Sequence, residues 1–166
     1  MNRLFSPWRS QYIASFVRKQ NDDACLFCAA AASKNDARNL IVHRGKHCFV
    51  MMNLYPYNSG HMMVVPYRHT ADISALTAKE NAEILATTAR MVEALKKVSA
   101  PHGFNVGINL GRAGGAGIDQ HVHVHVVPRW NGDTNFMATV ADTKLVSEGI
   151  KSTYRKLRAA ARRRSR

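Results

Sequence analysis

His121, His123 and His125 recur at two-residue intervals, separated by Val122 and Val124 and followed by Val126-Val127-Pro128. In an extended chain alternate side chains leave opposite faces, so the three imidazoles project from one side while the valines enter a core on the other. A row of titratable rings has no packing advantage over valine or threonine, so the row points to chemistry. Imidazoles are common zinc ligands, but alternate side chains of a strand stand about 7 Å apart and nearly parallel, while coordination needs about 2 Å. One or two of the three can share an ion, not all.

Phosphoryl chemistry suits the row better. The preceding loop, Gly111-Arg112-Ala113-Gly114-Gly115-Ala116-Gly117, is glycine-rich, and glycine lets a chain turn several backbone N–H groups toward an anion without obstruction by Cβ. A second chemical signature is Cys25-Leu26-Phe27-Cys28, the spacing of a zinc knuckle, which needs two further ligands. The cysteines number three, and the N-terminus lacks the apolar stretch of a secretory signal. A disulfide framework is therefore not expected, and metal binding or plain packing is. Cys48, alone in a strand, reads as core.

The elements that must position these groups follow from period and punctuation. The chain of 166 residues is 46% hydrophobic, enough for one core, and no apolar run approaches the roughly 20 residues that span a bilayer. A cytoplasmic, reducing setting with no membrane partner is expected. A helical or irregular piece around Pro7 to Arg18 precedes a cysteine-containing loop. Leu40 to His43 and His47 to Asn53 read as strands joined at Arg44-Gly45-Lys46, and His61 to Pro66 as a third after the Tyr55 to Gly60 turn. Thr77 and Glu80 have capping-box spacing, and Ile84, Leu85, Thr88, Met91, Val92, Leu95 and Val98 recur at helical intervals. That helix should stop near Pro101 to Gly103, with Phe104 to Leu110 and His121 to Val127 as strands beyond it. The plan is α+β: a mainly antiparallel five-stranded sheet, a long helix between strands 3 and 4, and a C-terminal helix.

The formal charge is +13, yet eight of the 24 basic residues lie from Lys151 onward, where no acidic residue occurs. Such a segment can bind phosphate backbones without sequence specificity or form a solvated helix end. Tyr154 is its only aromatic residue, and this scarcity of rings for base stacking favours the second.

The His-φ-His-φ-His-φ-φ pattern behind a glycine-rich loop resembles the histidine triad (HIT) family of nucleotide hydrolases and transferases. Trp8-Arg9, Asn53, Tyr55 to His61, Pro66-Tyr67-Arg68-His69 and Pro128 to Asp133 resemble its bacterial diadenosine-tetraphosphate phosphorylase-like branch. The resemblance implies a HIT-like fold, with residues 1–150 as the HIT domain carrying the CxxC segment and 151–166 as a basic C-terminal helix or tail. It also implies cleavage of a phosphoanhydride through a nucleotidyl-histidine. His123 would be the nucleophile, and His125 would donate to phosphate or leaving-group oxygens. Asn53 would hold the sugar hydroxyls. His61 would lie beside the phosphates, and Asn109 with the amides of Gly115, Gly117 and Ile118 would steady the transferred group.

Related members hold zinc with such a CxxC, a histidine after the third strand and the first histidine of the triad. The matching set here is Cys25, Cys28, His69 and His121, a closed structural site. Magnesium is expected only as a companion of the nucleotide. The implied partners are a purine nucleotide or dinucleoside polyphosphate as substrate and a second copy in a homodimer, built on the long helix and neighbouring strand. Two other readings stay open: a purine-nucleotide sensor without turnover, and a zinc-stabilised nucleic-acid-associated protein using the basic tail.

Overall fold

The computed structural model describes residues 25–133 and 148–162. The piece expected from Pro7 to Arg18, with Trp8-Arg9, lies outside them. In chain order the elements are α1 (Leu26–Ala32), β1 (Ile41–Arg44), β2 (Cys48–Met52), β3 (Met62–Pro66), a 3-10 turn at Ile73–Ala75, α2 (Ala78–Ser99), β4 (Gly103–Ile108), β5 (Val124–Arg129) and α3 (Ile150–Arg162). The strands form one sheet in the order β1-β2-β3-β5-β4, every neighbouring pair antiparallel.

Both faces of the sheet centre are covered, which is why β2 and β3 are buried along their whole length and read as continuous apolar runs. One face carries Cys48, Val50, Met52, Met62, Val64, Val122, Val124 and Val126 against Ile84, Met91 and Leu95 of α2 and Tyr154, Leu157 and Ala161 of α3. The other carries Phe49, Met51, Met63 and Val65 against Phe27 and Ala30 of α1. Cys48 is fully buried, as its position in a strand suggests.

The capping box forms: Thr77 Oγ1 accepts from the Glu80 N–H at 3.3 Å, and the Glu80 carboxylate accepts from the Thr77 N–H at 2.8 Å. The helix ends at Ala100 in a left-handed conformation (φ 43°), just before Pro101. The β1–β2 turn is held from α2, where Glu83 accepts from the N–H groups of Lys46 at 2.7 Å and His47 at 3.1 Å. A Cβ at Gly45 would stand 2.1 Å from that carboxylate, so a larger residue would have to push Glu83 away from these amides.

Two expectations are corrected. The CxxC does not sit in a loop: Cys25 caps α1 and Cys28 lies in its first turn, an alanine-rich stretch with high helix propensity. The strand expected from His121 to Val127 runs from Val124 to Arg129. Its β3 partner ends at Pro66, which has no N–H for the ladder, so His121 to His123 run outside the strand and Val122 N–H finds Thr70 O at 2.7 Å. The expected C-terminal helix forms as far as Arg162 and is docked: Arg158 donates to Ile41 O at 2.9 Å and to Asp36 at 3.2 Å, and Leu157 is fully buried.

Candidate active site and metal centre

The three histidines do project from one side, but they lie under α1 and are not on an open surface. His121 and His123 are 1% and 4% exposed, and His125 is half-buried. The Phe27 ring packs against both buried rings, at 5.3 Å from the His121 centroid and 4.9 Å from that of His123. His125 stands edge-on to His123 at 4.7 Å.

Each ring has a defined proton arrangement because one nitrogen meets a group that can play only one role. His123 Nδ1 lies 2.8 Å from the His121 carbonyl oxygen, which accepts only, so Nδ1 carries the proton and Nε2 keeps its lone pair. His121 Nε2 donates to Pro66 O at 2.9 Å, leaving Nδ1 bare. His61 Nδ1 accepts from the Tyr57 N–H at 3.1 Å. Its Nε2 is therefore the donor in the 2.9 Å bond to His125 Nδ1, and the remaining proton of His125 sits on Nε2. Burial holds all four rings below the ordinary histidine range. His61 is pushed down to about 3 by burial and by His125 and His123, and His125 to about 4 by burial and by His123. Neutral imidazoles, His123 with a bare Nε2 and His125 with a protonated one, are the resting state near neutrality.

His61 was expected beside the phosphates. It is fully buried with both ring nitrogens engaged and Tyr57 stacked on it at 4.7 Å, so it reaches the site only through His125. Asn53 follows β2, its side-chain oxygen accepting from the Tyr55 N–H at 2.9 Å. Asn109 follows β4, and its amide reaches Gly115 O at 3.4 Å. The glycine loop spends some of its amides on itself: Gly115 N–H goes to Arg112 O and Ala116 N–H to Gly111 O. Among the described residues no backbone carbonyl accepts from the N–H groups of Gly117 or Ile118, so both are open to an anion. Gly114 is sterically required, because a Cβ there would meet Leu110 O at 2.4 Å. Trp130 donates to Ser99 O at 3.2 Å and so ties the end of β5 to the end of α2.

The CxxC finds its partners. One ligand atom from each of Cys25, Cys28, His69 and His121 lies within 4.8 Å of all the others. Cys25 Sγ and His69 Nδ1 are each 3.3 Å from His121 Nδ1, and Cys28 Sγ is 3.4 Å from His69 Nδ1 and 3.7 Å from His121 Nδ1. A tetrahedron with ligand bonds of about 2.0–2.3 Å has edges of about 3.3–3.8 Å, so the four atoms fit one ion. The His121 Nε2–H to carbonyl bond is the outer-shell contact that presents the other nitrogen to a metal.

Sequence reasoning did not mark two residues that build this site. Phe27, between the cysteines, is fully buried on the His123 ring. Arg44 of β1 donates to the carbonyls of Ala30, Ala31 and Ser33 at 3.3, 2.7 and 2.8 Å and to Asp36 at 2.9 Å, closing the C-terminal end of α1. A lone arginine in a hairpin gives no sequence signal for such contacts.

A family model described as HIT domain matches residues 34–132. A protein of Mycobacterium tuberculosis named AP-4-A phosphorylase is 41% identical over 161 residues, covering 95% of this chain and 83% of that one. The asymmetrical bis(5'-nucleosyl)-tetraphosphatase of Schizosaccharomyces pombe is 30% identical over 61% of this chain and 55% of its own. Among solved structures, a Zn-bound histidine triad family protein from Mycobacterium smegmatis superposes with TM-score 0.68 at 28% identity, covering 83% of this chain and 93% of that one.

Proposed function

The chain belongs to the HIT domain family, and from that premise we propose that it is an enzyme that cleaves dinucleoside polyphosphates through a nucleotidyl group carried on His123. The observation that carries the reading is the 2.8 Å bond from His123 Nδ1 to the His121 carbonyl two residues back, which leaves Nε2 as an unprotonated nucleophile. His123 Nε2 attacks the α-phosphorus, the Nε2–P bond forms and the bond to the bridging oxygen breaks. The departing nucleoside phosphate leaves as an anion, so it needs a hydrogen bond more than a full proton, and His125 Nε2–H supplies one. Asn109 and the Gly117 and Ile118 amides steady the transferred phosphoryl oxygens, and Asn53 holds the ribose. In the second step an acceptor oxygen displaces His123 and regenerates the free imidazole.

The 41% identity to a phosphorylase favours inorganic phosphate as acceptor, so that diadenosine tetraphosphate gives ATP and then ADP. Water as acceptor is the second reading, favoured by the more distant tetraphosphatase. The Cys25, Cys28, His69 and His121 set would hold one zinc ion with no open position, which suits a structural metal that joins α1 to the triad. Magnesium takes no protein ligand in this scheme and would arrive on the polyphosphate. A second copy is proposed against β4 and α2: among the described residues β4 is paired on one side only, and Val106 and Leu85 are 50% and 73% exposed. No helix of the described residues is long and apolar enough to cross a membrane.

The test is to incubate the protein with diadenosine tetraphosphate with and without inorganic phosphate, beside His123→Ala. ADP and ATP formed only with phosphate establish phosphorolysis. AMP and ATP, or two ADP, in phosphate-free buffer mean hydrolysis. Turnover that survives His123→Ala would remove the covalent mechanism.

A further inference from the structure

Phe27 occupies the second position of α1, between the cap Cys25 and Cys28. It is fully buried, and its ring meets both the metal-site histidine and the nucleophile: nearly perpendicular to His121 at 77° and tilted at 52° on His123. On its other flank His123 meets His125. The ring of His123 is thus held by three contacts: the His121 carbonyl, the Phe27 ring and the His125 ring. Two of these lead back to the Cys25, Cys28, His69, His121 cluster, one through the backbone of His121 and the other through α1. The helix itself has seven residues, too few to hold its place alone. It is fastened at its start by the cysteines and at its end by Arg44.

We infer that Phe27 is a positioning residue for His123, the side chain through which metal occupancy of the cysteine–histidine cluster is transmitted to the orientation and tautomer of the nucleophile. This rests on the assignment of His123 above. With the cluster closed, α1 presses Phe27 onto the imidazole, bars it from rotating and keeps water from competing for Nδ1. With the cluster open, α1 loses its N-terminal anchor, the Phe27 wall withdraws, and Nδ1 and Nε2 exchange roles. The device places a metal switch on the nucleophile without the metal touching substrate.

Phe27→Ala and Phe27→Leu test this in the full chain. Zinc content, kcat and KM for diadenosine tetraphosphate with phosphate, and the side-chain 15N spectrum of His123, assigned from its loss in His123→Asn, are to be measured for each. Both variants should keep one zinc per chain. Phe27→Ala should lose about 10- to 100-fold in kcat with KM changed less than about threefold, and Phe27→Leu should lose less. The His123 signal should move from a single Nδ1–H tautomer to an exchanging mixture in Phe27→Ala and, equally, in chelator-stripped wild type. If Phe27→Ala does not fold, Phe27→Leu and the stripped protein carry the test. Unchanged tautomer and kcat in folded Phe27 variants, or an unchanged His123 signal after zinc removal, overturns the inference. Because the 15N readout needs no substrate, a shifted tautomer in a protein that does not turn over the dinucleotide would sink the proposed activity and leave the coupling standing.

Discussion

His61 Nε2 donates to His125 Nδ1 across 2.9 Å, and the direction of that bond is dictated from behind by the Tyr57 amide on His61 Nδ1. A fully buried residue thereby decides which nitrogen of His125 carries the proton. His61→Phe keeps an aromatic ring beneath Tyr57 but removes the donor. It should lower kcat by about 10- to 100-fold, the range of a positioned hydrogen-bonding group, and leave KM much less affected. Steady-state kinetics of the variant check this; a kcat within about twofold of wild type would show that His125 holds its tautomer unaided.

Chelation should act on stability as well as on chemistry. Removing a metal from the Cys25, Cys28, His69, His121 cluster leaves two thiols and two imidazoles crowded together and frees the start of α1. A loss of about 2 kcal/mol would lower the thermal midpoint by about 5 °C or more. Cys28→Ser should reproduce the shift and bind no zinc. Cys48→Ser, which alters a buried thiol beside Thr87, should keep full zinc content. Calorimetry with metal analysis distinguishes the two classes of cysteine.

Stability should fall on mild acidification. Folding holds His61 near 3 and His125 near 4, while the unfolded chain returns them to 6.5. Between the folded and unfolded values the unfolded state binds more protons, so stability rises with pH through that window and levels off above about 6.5. Urea midpoints from about pH 7.5 down to about pH 4 should decline, and His61→Phe should show a shallower decline because one of the depressed histidine titrations is gone. An equal slope in both proteins would assign the acid sensitivity elsewhere.

The C-terminal helix should prove part of the core. Leu157 is fully buried among Tyr154, Ala161 and the α2 side chains, and its replacement by alanine should cost about 2–5 kcal/mol. Arg155→Ala, at an exposed position of the same helix, should stay within about 0.5 kcal/mol of wild type. Denaturant unfolding of both variants measures the contrast. A mild Leu157→Ala would mean that residues 150–162 are dispensable to the domain.

What the sequence determined by itself was whatever depends on short-range period and residue chemistry. The alternation of His121, His123 and His125 with valines placed the rings on one side of the sheet, Thr77 with Glu80 started α2, and the strand and helix order defined an α+β plan with an antiparallel sheet. The CxxC named half of a metal site, and the family resemblance supplied the other half, which the folded chain brings within reach. Tertiary structure alone decided the rest. Pro66 ended the β3 ladder and released His121 to His123 from the strand, His61 was set behind His125, and Phe27 and Arg44 were drawn into contacts across the fold. The reason is the range of the forces involved: propensity and alternation act over a few residues of chain, whereas a ring's tautomer is fixed by whichever donor or acceptor the fold delivers to it. For His123 that partner was two residues away, and for His125 it was 64.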